Sequence, residues 1–146
     1  MCLFCKIINR EEVGYFVYED DNFVAFLDKF PAVPGHTLLV AKRHYDNILE
    51  MPNDYLSNLA KPLKIVSIGV MRALKADGIR ILTNVGRSAG QVIFHTHIHL
   101  IPSWSLSYPS GYENFIARKE QPKEYYEKTA RIIKEEIDNL LKLQLI

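Results

Sequence analysis

The sequence predicts an α+β fold, and three observations carry that prediction. Short aromatic and β-branched runs near the N-terminus are separated by turn residues, as in antiparallel strands joined by hairpins. Two longer stretches instead repeat apolar residues every three and four positions, the spacing of a helix with one buried face. The strands cluster as neighbours while the helices stand apart from them, which is the α+β pattern.

Tyr15 to Glu19 and Phe23 to Leu27 are the first two predicted strands, divided by Asp20, Asp21 and Asn22 in a hairpin. Pro31, Pro34 and Gly35 mark a loop, after which Thr37 to Ala41 is a short apolar strand. From Asp54 to Ala76 the residues Leu59, Leu63, Val66, Val70 and Leu74 predict one buried helix face, with Asp54 as N-cap and Gly78 as the stop. Pro62 lies inside that run and predicts either a second segment or a kink. Ile79 to Thr83 is the next strand, followed by the loop N-V-G-R-S-A-G-Q from Asn84 to Gln91. A histidine-bearing strand comes after it, and Pro102, which has no N–H for a ladder, is expected to end it. Ser103 to Gln121 reads as irregular and aromatic, and Lys123 to Leu143 as a charged amphipathic helix.

A chain of 146 residues suits one domain with a real core. Residues 1–102 are read as the core of that single domain 1–146, and 103–146 as a C-terminal extension ending in the amphipathic helix. Charge nearly cancels, with 18 basic against 17 acidic residues, which argues against a broad electrostatic grip on nucleic acid or an anionic membrane. No signal-peptide pattern opens the chain, and no apolar run approaches the roughly 18 residues of a membrane span. Cys2 and Cys5 are the two cysteines; a disulfide between them would close a tiny loop and stabilise little, so a reducing cytoplasm is expected.

The stretch F-H-T-H-I-H-L-I-P puts His95, His97 and His99 on every second residue. On a helix, residues two apart diverge by roughly 200°, scattering the rings. On a strand they share a face at ~6.6 Å spacing, while Thr96, Ile98 and Leu100 turn to the core. Three readings follow. The rings are half-exposed surface; or two of them chelate a hydrolytic zinc, although the next carboxylate after His99 is as distant as Glu113; or one neutral imidazole attacks phosphorus while its neighbours position it. The last reading also needs a phosphate cradle. The loop just upstream offers one, with Gly86 and Gly90 allowing close backbone approach and Asn84 and Gln91 carrying amide donors. The Cys2-x-x-Cys5 pair has three readings of its own: a redox motif lacking its βαβ setting, two unpaired small hydrophobes, or two thiolates on a tetrahedral zinc.

The chain resembles the histidine triad (HIT) family of nucleotidyl hydrolases and transferases from Cys2 to about Pro102. The resemblance is carried by C-L-F-C-K-I-I, A-F-L-D at Ala25 to Asp28, P-G-H-T-L-L-V at Pro34 to Val40, K-R-H at Lys42 to His44, and G-Q-V-I-F-H-T-H-I-H from Gly90. It implies an antiparallel five-stranded sheet with one long helix packed on it plus the C-terminal helix, usually paired into a homodimer. It further implies hydrolysis at the α-phosphorus of a nucleoside monophosphate moiety, from a dinucleoside polyphosphate or an adenylyl phosphoramidate, through a covalent nucleotidyl-histidine. By position His97 matches the nucleophile, and His99 and His36 its supporting residues. Asn84, Gly90 and Gln91 match the phosphate loop, Asp28 the ribose carboxylate, and Phe4, Ile7 and Phe26 the apolar slot for the base of an adenine nucleotide; for those three, plain core packing is the alternative. Zinc-bearing relatives join the cysteine pair to two histidines, here His44 and His95, as a structural site; no organic cofactor is implied.

Two features depart from the family pattern. Many relatives carry a hydroxyl residue where this chain has Val92, which leaves open what protonates the leaving group. The extension beyond the triad looks more like the dinucleoside polyphosphate branch than the shorter phosphoramidase branch, without deciding between them. A nucleotide-sensing module with slow catalysis and a nucleotidyl transferase stay open as alternatives, and base preference is not legible in an apolar slot with one carboxylate.

Overall fold

The computed structural model describes residues 2–143; Met1 and residues 144–146, which the single-domain reading includes, lie outside the described residues. Five strands form one antiparallel sheet: β1 (Phe16–Glu19), β2 (Phe23–Leu27), β3 (Thr37–Ala41), β4 (Gly78–Leu82) and β5 (His97–Ser103), in the spatial order β1-β2-β3-β5-β4. The first hairpin closes on Asp20, whose Oδ1 accepts from the backbone N–H groups of Asn22 and Phe23 at 2.8 and 2.7 Å. The aspartate thus supplies the turn with the acceptors that its short backbone lacks.

The helices are α1 (Leu3–Ile8), α2 (Asn53–Leu56), α3 (Ala60–Ala73) and α4 (Lys123–Lys142). The single long helix expected from Asp54 to Ala76 is two: α2 starts after Pro52, and Pro62 is the third residue of α3. There its missing N–H costs nothing, because first-turn donors have no intrahelical partner. Asp54 therefore sits in the first turn of α2 and is not its cap. Nor does Gly78 stop α3. The N–H of Ala76 bonds Met71 O and that of Lys75 bonds Arg72 O, a Schellman close with Lys75 in the left-handed region at φ 53°. Gly78 begins β4 instead.

α3 and α4 lie on one sheet face, where Phe23, Ala25, Leu39, Ala41, Ile98 and Leu100 join the apolar stripes of both helices in the main core. The helices approach closely at Gly69, where a Cβ would collide with Ile137 Cγ1. The other face carries Val24, Phe26, Leu38 and Val40 beneath Phe4 and Ile7 of α1. β2 and β3 are consequently buried on both sides. Pro102 does not end β5; it pairs with Ile79 one residue before the strand's last, Ser103. Pairing with β3 has already stopped at Leu100, and the Ser103 carbonyl bonds Asp77 N on the β4 side, so Pro102 faces the side where no strand needs a donor.

The extension after β5 is irregular, as expected, but firmly held. Trp104 Nε1 donates to Leu74 O (2.8 Å), Ser105 N to Asp77 (3.1 Å), and the Tyr112 and Thr129 hydroxyls meet at 2.8 Å. No helix among the described residues is long and apolar enough to cross a membrane.

Candidate active site

The α1 face of the sheet opens into a cleft of about 670 Å³ whose lining includes Phe4, Ile7, Phe26, Asp28, Gly90, His97 and His99. The sequence carries no helical signature for α1. This helix spans six residues, too few for an apolar repeat to show, and its N-cap is a thiol: Cys2 Sγ accepts from Cys5 N at 3.2 Å. The helix lays the Phe4 ring edge-on against Phe26 (centroids 5.5 Å apart) and against His97 (5.0 Å). One wall of the cleft is therefore apolar and ends at an imidazole.

The strand bearing the histidines begins at His97, so His95 precedes it. Thr96 leaves regular pairing because its N–H and Oγ1 both donate to Tyr45 O, at 2.7 and 2.9 Å. Thr96, Ile98 and Leu100 do turn to the core. The hydrogen bonds assign each ring a tautomer. His97 Nδ1 lies 2.6 Å from His95 O, a group that only accepts, so Nδ1 carries the proton and Nε2 is a bare lone pair. His36 Nδ1 accepts from Ala32 N (3.0 Å), which puts its proton on Nε2, 2.9 Å from His99 Nδ1. His99 thus keeps its proton on Nε2. His36 does not line the cleft; it stands behind His99, with Asp28 Oδ2 3.5 Å from its Nε2.

Burial favours the neutral form of all three rings. It pulls the imidazoles of His36 and His97 below their ordinary range, and with the neighbouring His97 and His36 it brings His99 down to about 4. Asp28 opposes the shift at each of the three, and Arg118 reinforces it at His36. Because the folded state takes up protons less readily than the unfolded chain, whose histidines titrate near ~6.5, stability is complete above that pH and is lost as pH falls. Melting temperature is accordingly expected to drop between about pH 6.5 and 4, and less steeply in His99→Gln; scanning calorimetry across that window checks it. An equal slope in the variant would remove His99 as the cause.

The loop from Asn84 to Gln91 contains a short 3₁₀ turn over Arg87–Ala89. Gly90, at φ 99°, lines the cleft, and a Cβ there would come 3.5 Å from Asn84 Nδ2, so the Asn84 amide abuts the cleft wall without lining it. The structure gives the Gln91 side chain a different place from the one read in the sequence. It is buried, and its Oε1 accepts from Gly86 N (2.9 Å) while Nε2 donates to Asp46 O and Ile93 O. Both amide hydrogens are spent inside the protein, and the residue closes the loop on itself. Val92 lines the cleft at 85% exposure and brings no hydroxyl.

Beside the cleft, Cys2, Cys5, His44 and His95 converge from three chain segments. The two sulfurs are 3.2 Å apart, and each lies between 3.3 and 3.6 Å from both Nδ1 atoms. Tetrahedral zinc with Zn–S near ~2.3 Å and Zn–N near ~2.0 Å separates its ligands by about 3.3–3.8 Å, so the set fits such an ion with a small expansion. Each ring is oriented from behind: His95 Nε2 donates to Ala41 O (2.6 Å), and His44 Nε2 lies 3.2 Å from Asp46 Oδ1. Both Nδ1 lone pairs are thereby turned to the thiols. Asp28, His36 and His99 also gather, but there the nitrogens meet at hydrogen-bond distance.

Sequence reasoning missed part of the cleft lining, including Tyr15, Lys29, Glu120, Gln121, Lys123 and Tyr126. No local pattern marks these residues; contacts distant in sequence gather them.

Residues 9–105 match the HIT domain. The chain is similar to a solved structure described as a hypothetical histidine triad nucleotide-binding protein of Sulfolobus tokodaii, at 58% identity and a TM-score of 0.93 over 95% of this chain and 93% of that one. A zinc-bound histidine triad family protein of Mycobacterium smegmatis shares 27% identity and a TM-score of 0.80 over 97% and 96% of the two chains. The adenylylsulfatase HINT3 of Arabidopsis thaliana is 41% identical over 101 residues, which is 69% of this chain and 51% of that protein.

Proposed function

The chain belongs to the HIT family, and from that premise we propose that it is a nucleotide hydrolase acting at the α-phosphorus of an adenylyl group, by way of a nucleotidyl-histidine at His97. One observation carries the reading: the bare Nε2 of His97, whose opposite nitrogen is tied to His95 O, belongs to a ring on the cleft wall. Phe4, Ile7 and Phe26 offer an apolar surface to the base, and Asp28 a carboxylate to the ribose hydroxyls. His97 Nε2 attacks phosphorus as the bond to the leaving group breaks. Water then attacks the same phosphorus, the bond to Nε2 breaks and the water proton passes to solvent, which releases the nucleoside monophosphate and restores the free ring.

His99 answers the absence of a hydroxyl at Val92. Its Nε2–H, fixed by the His36 bond, is a donor on the cleft wall available to the leaving oxygen. Adenylyl sulfate and diadenosine polyphosphates present such an oxygen, and adenylyl phosphoramidates a leaving nitrogen that accepts the same proton. The HINT3 similarity favours testing adenylyl sulfate first. When bound, a zinc ion at Cys2, Cys5, His44 and His95 would supply structural cross-linking, with Phe4 of α1 carried to His97 by the same tether.

The test is mass spectrometry of protein quenched during turnover. An adduct of one adenylyl group on His97 is the expected result; turnover without any histidine adduct would sink the covalent route.

A further inference from the structure

We propose that Gln121, in the C-terminal extension, is a specificity-determining residue whose Oε1 accepts a hydrogen bond from the exocyclic amino group of the bound adenine. This rests on the nucleotide reading above and adds to it a residue outside the triad and its loop.

Gln121 lines the cleft, yet it is only 9% exposed and is held on several sides. Its Nε2 donates to Ile116 O (2.6 Å) and Lys119 O (2.7 Å). Both partners are carbonyls, so turning the amide over would set oxygen against two oxygens; the orientation is fixed. Its backbone N–H donates to the Tyr126 hydroxyl (2.9 Å), which donates onward to Lys29 O (2.6 Å). Next to it, Arg118 N donates to Pro31 O (2.7 Å). The residue is thus moored to the loop that follows the Asp28 carboxylate.

The one polar atom left over is Oε1. It accepts from no donor among the described residues, and it is not sealed in, since Ser67 Oγ is the single fully buried side-chain polar atom among them without a partner. Because Gln121 lines the cleft, this rigid acceptor is the polar atom it has left to offer a ligand there. The adjoining lining sets Ile7, Gly14, Tyr15 and Tyr126 beside the charged Lys29, Glu120 and Lys123. Tyr126 stacks on Tyr15 with ring centroids 5.1 Å apart, and next to Tyr15 comes Gly14, where a Cβ would lie 2.6 Å from Ile7 Cγ2. A planar ring resting along Ile7, Gly14 and Tyr15 reaches an acceptor at its edge, and an amino group there is bonded. A base with only a hydrogen at that position leaves Oε1 unpaired and desolvated, which lowers its affinity.

The experiment titrates the wild-type protein with adenosine monophosphate and with purine-riboside monophosphate, identical but for hydrogen in place of the 6-amino group. Affinity for the second ligand is expected to be about three- to tenfold weaker. In Gln121→Met the two affinities should converge, with that of the second ligand little changed. In wild-type protein the side-chain amide resonances of Gln121 should shift with the first ligand and not with the second, a readout that holds even if the variant fails to fold. Equal wild-type affinities, an equal loss for both ligands in the variant, or matching amide shifts would overturn the assignment while leaving the nucleotide reading standing. If neither ligand binds, both fall together.

Discussion

His97→Ala is expected to lower turnover of an adenylyl substrate at least ~10⁴-fold while the affinity for adenosine monophosphate changes by no more than about threefold. Removing a nucleophile abolishes the step that only it performs, whereas binding rests on other groups. Phe4 and Phe26 stay packed edge to face, and Asp28 keeps its carboxylate on the cleft wall. The alanine also leaves a gap beside Phe4, whose ring lies 5.0 Å from the imidazole. For that reason His97→Gln, which fills the space, is the companion variant and should be equally inactive. Steady-state kinetics and calorimetric titration separate the two quantities. Normal hydrolysis by either variant would exclude attack by His97.

Cys5→Ser is expected to reduce bound zinc from about one ion per chain to a small fraction, and to lower the melting temperature by ~10 °C or more, equivalent to several kcal/mol for a domain of this size. A helix of six residues has no stability of its own, so α1 is held by burial of Phe4 and Ile7 and by whatever ties its cap to the sheet. With Cys2 and Cys5 next to His44 and His95, the four donor atoms fit an ion that would supply that tie. Elemental analysis and differential scanning fluorimetry check both halves. Wild-type protein that is metal-free and equally stable would dismiss the zinc, and a variant retaining a full equivalent would locate the ion elsewhere.

Much of the frame was legible because it is local. β2 and β3 fall on the residues their aromatic and β-branched runs mark, Phe23–Leu27 and Thr37–Ala41, and α4 begins at Lys123 as its periodicity predicts. The HIT motif also brings together, in space, the residues it pairs by position: His97 with His99 and His36, and Cys2 and Cys5 with His44 and His95. What escaped either breaks a local residue preference or depends on partners remote in sequence. The left-handed close of α3 at Lys75 carries no glycine signal, and Pro102 is tolerated only because β3 ends opposite Leu100. Gln91 looks like a free amide until the Asp46 and Ile93 carbonyls are found around it. Gln121 looks like any residue of an irregular stretch until the loop from Asp28 to Pro31 folds against it.

His95 serves two masters. Its imidazole belongs to the sulfur-rich corner, while its peptide oxygen receives the proton side of the neighbouring ring that faces the cleft. A disturbance of the thiols, by oxidant or chelator, would thereby reach the imidazole proposed as nucleophile through a single amino acid. On that reading, a compound that strips or oxidises the thiol corner would act without ever entering the cleft.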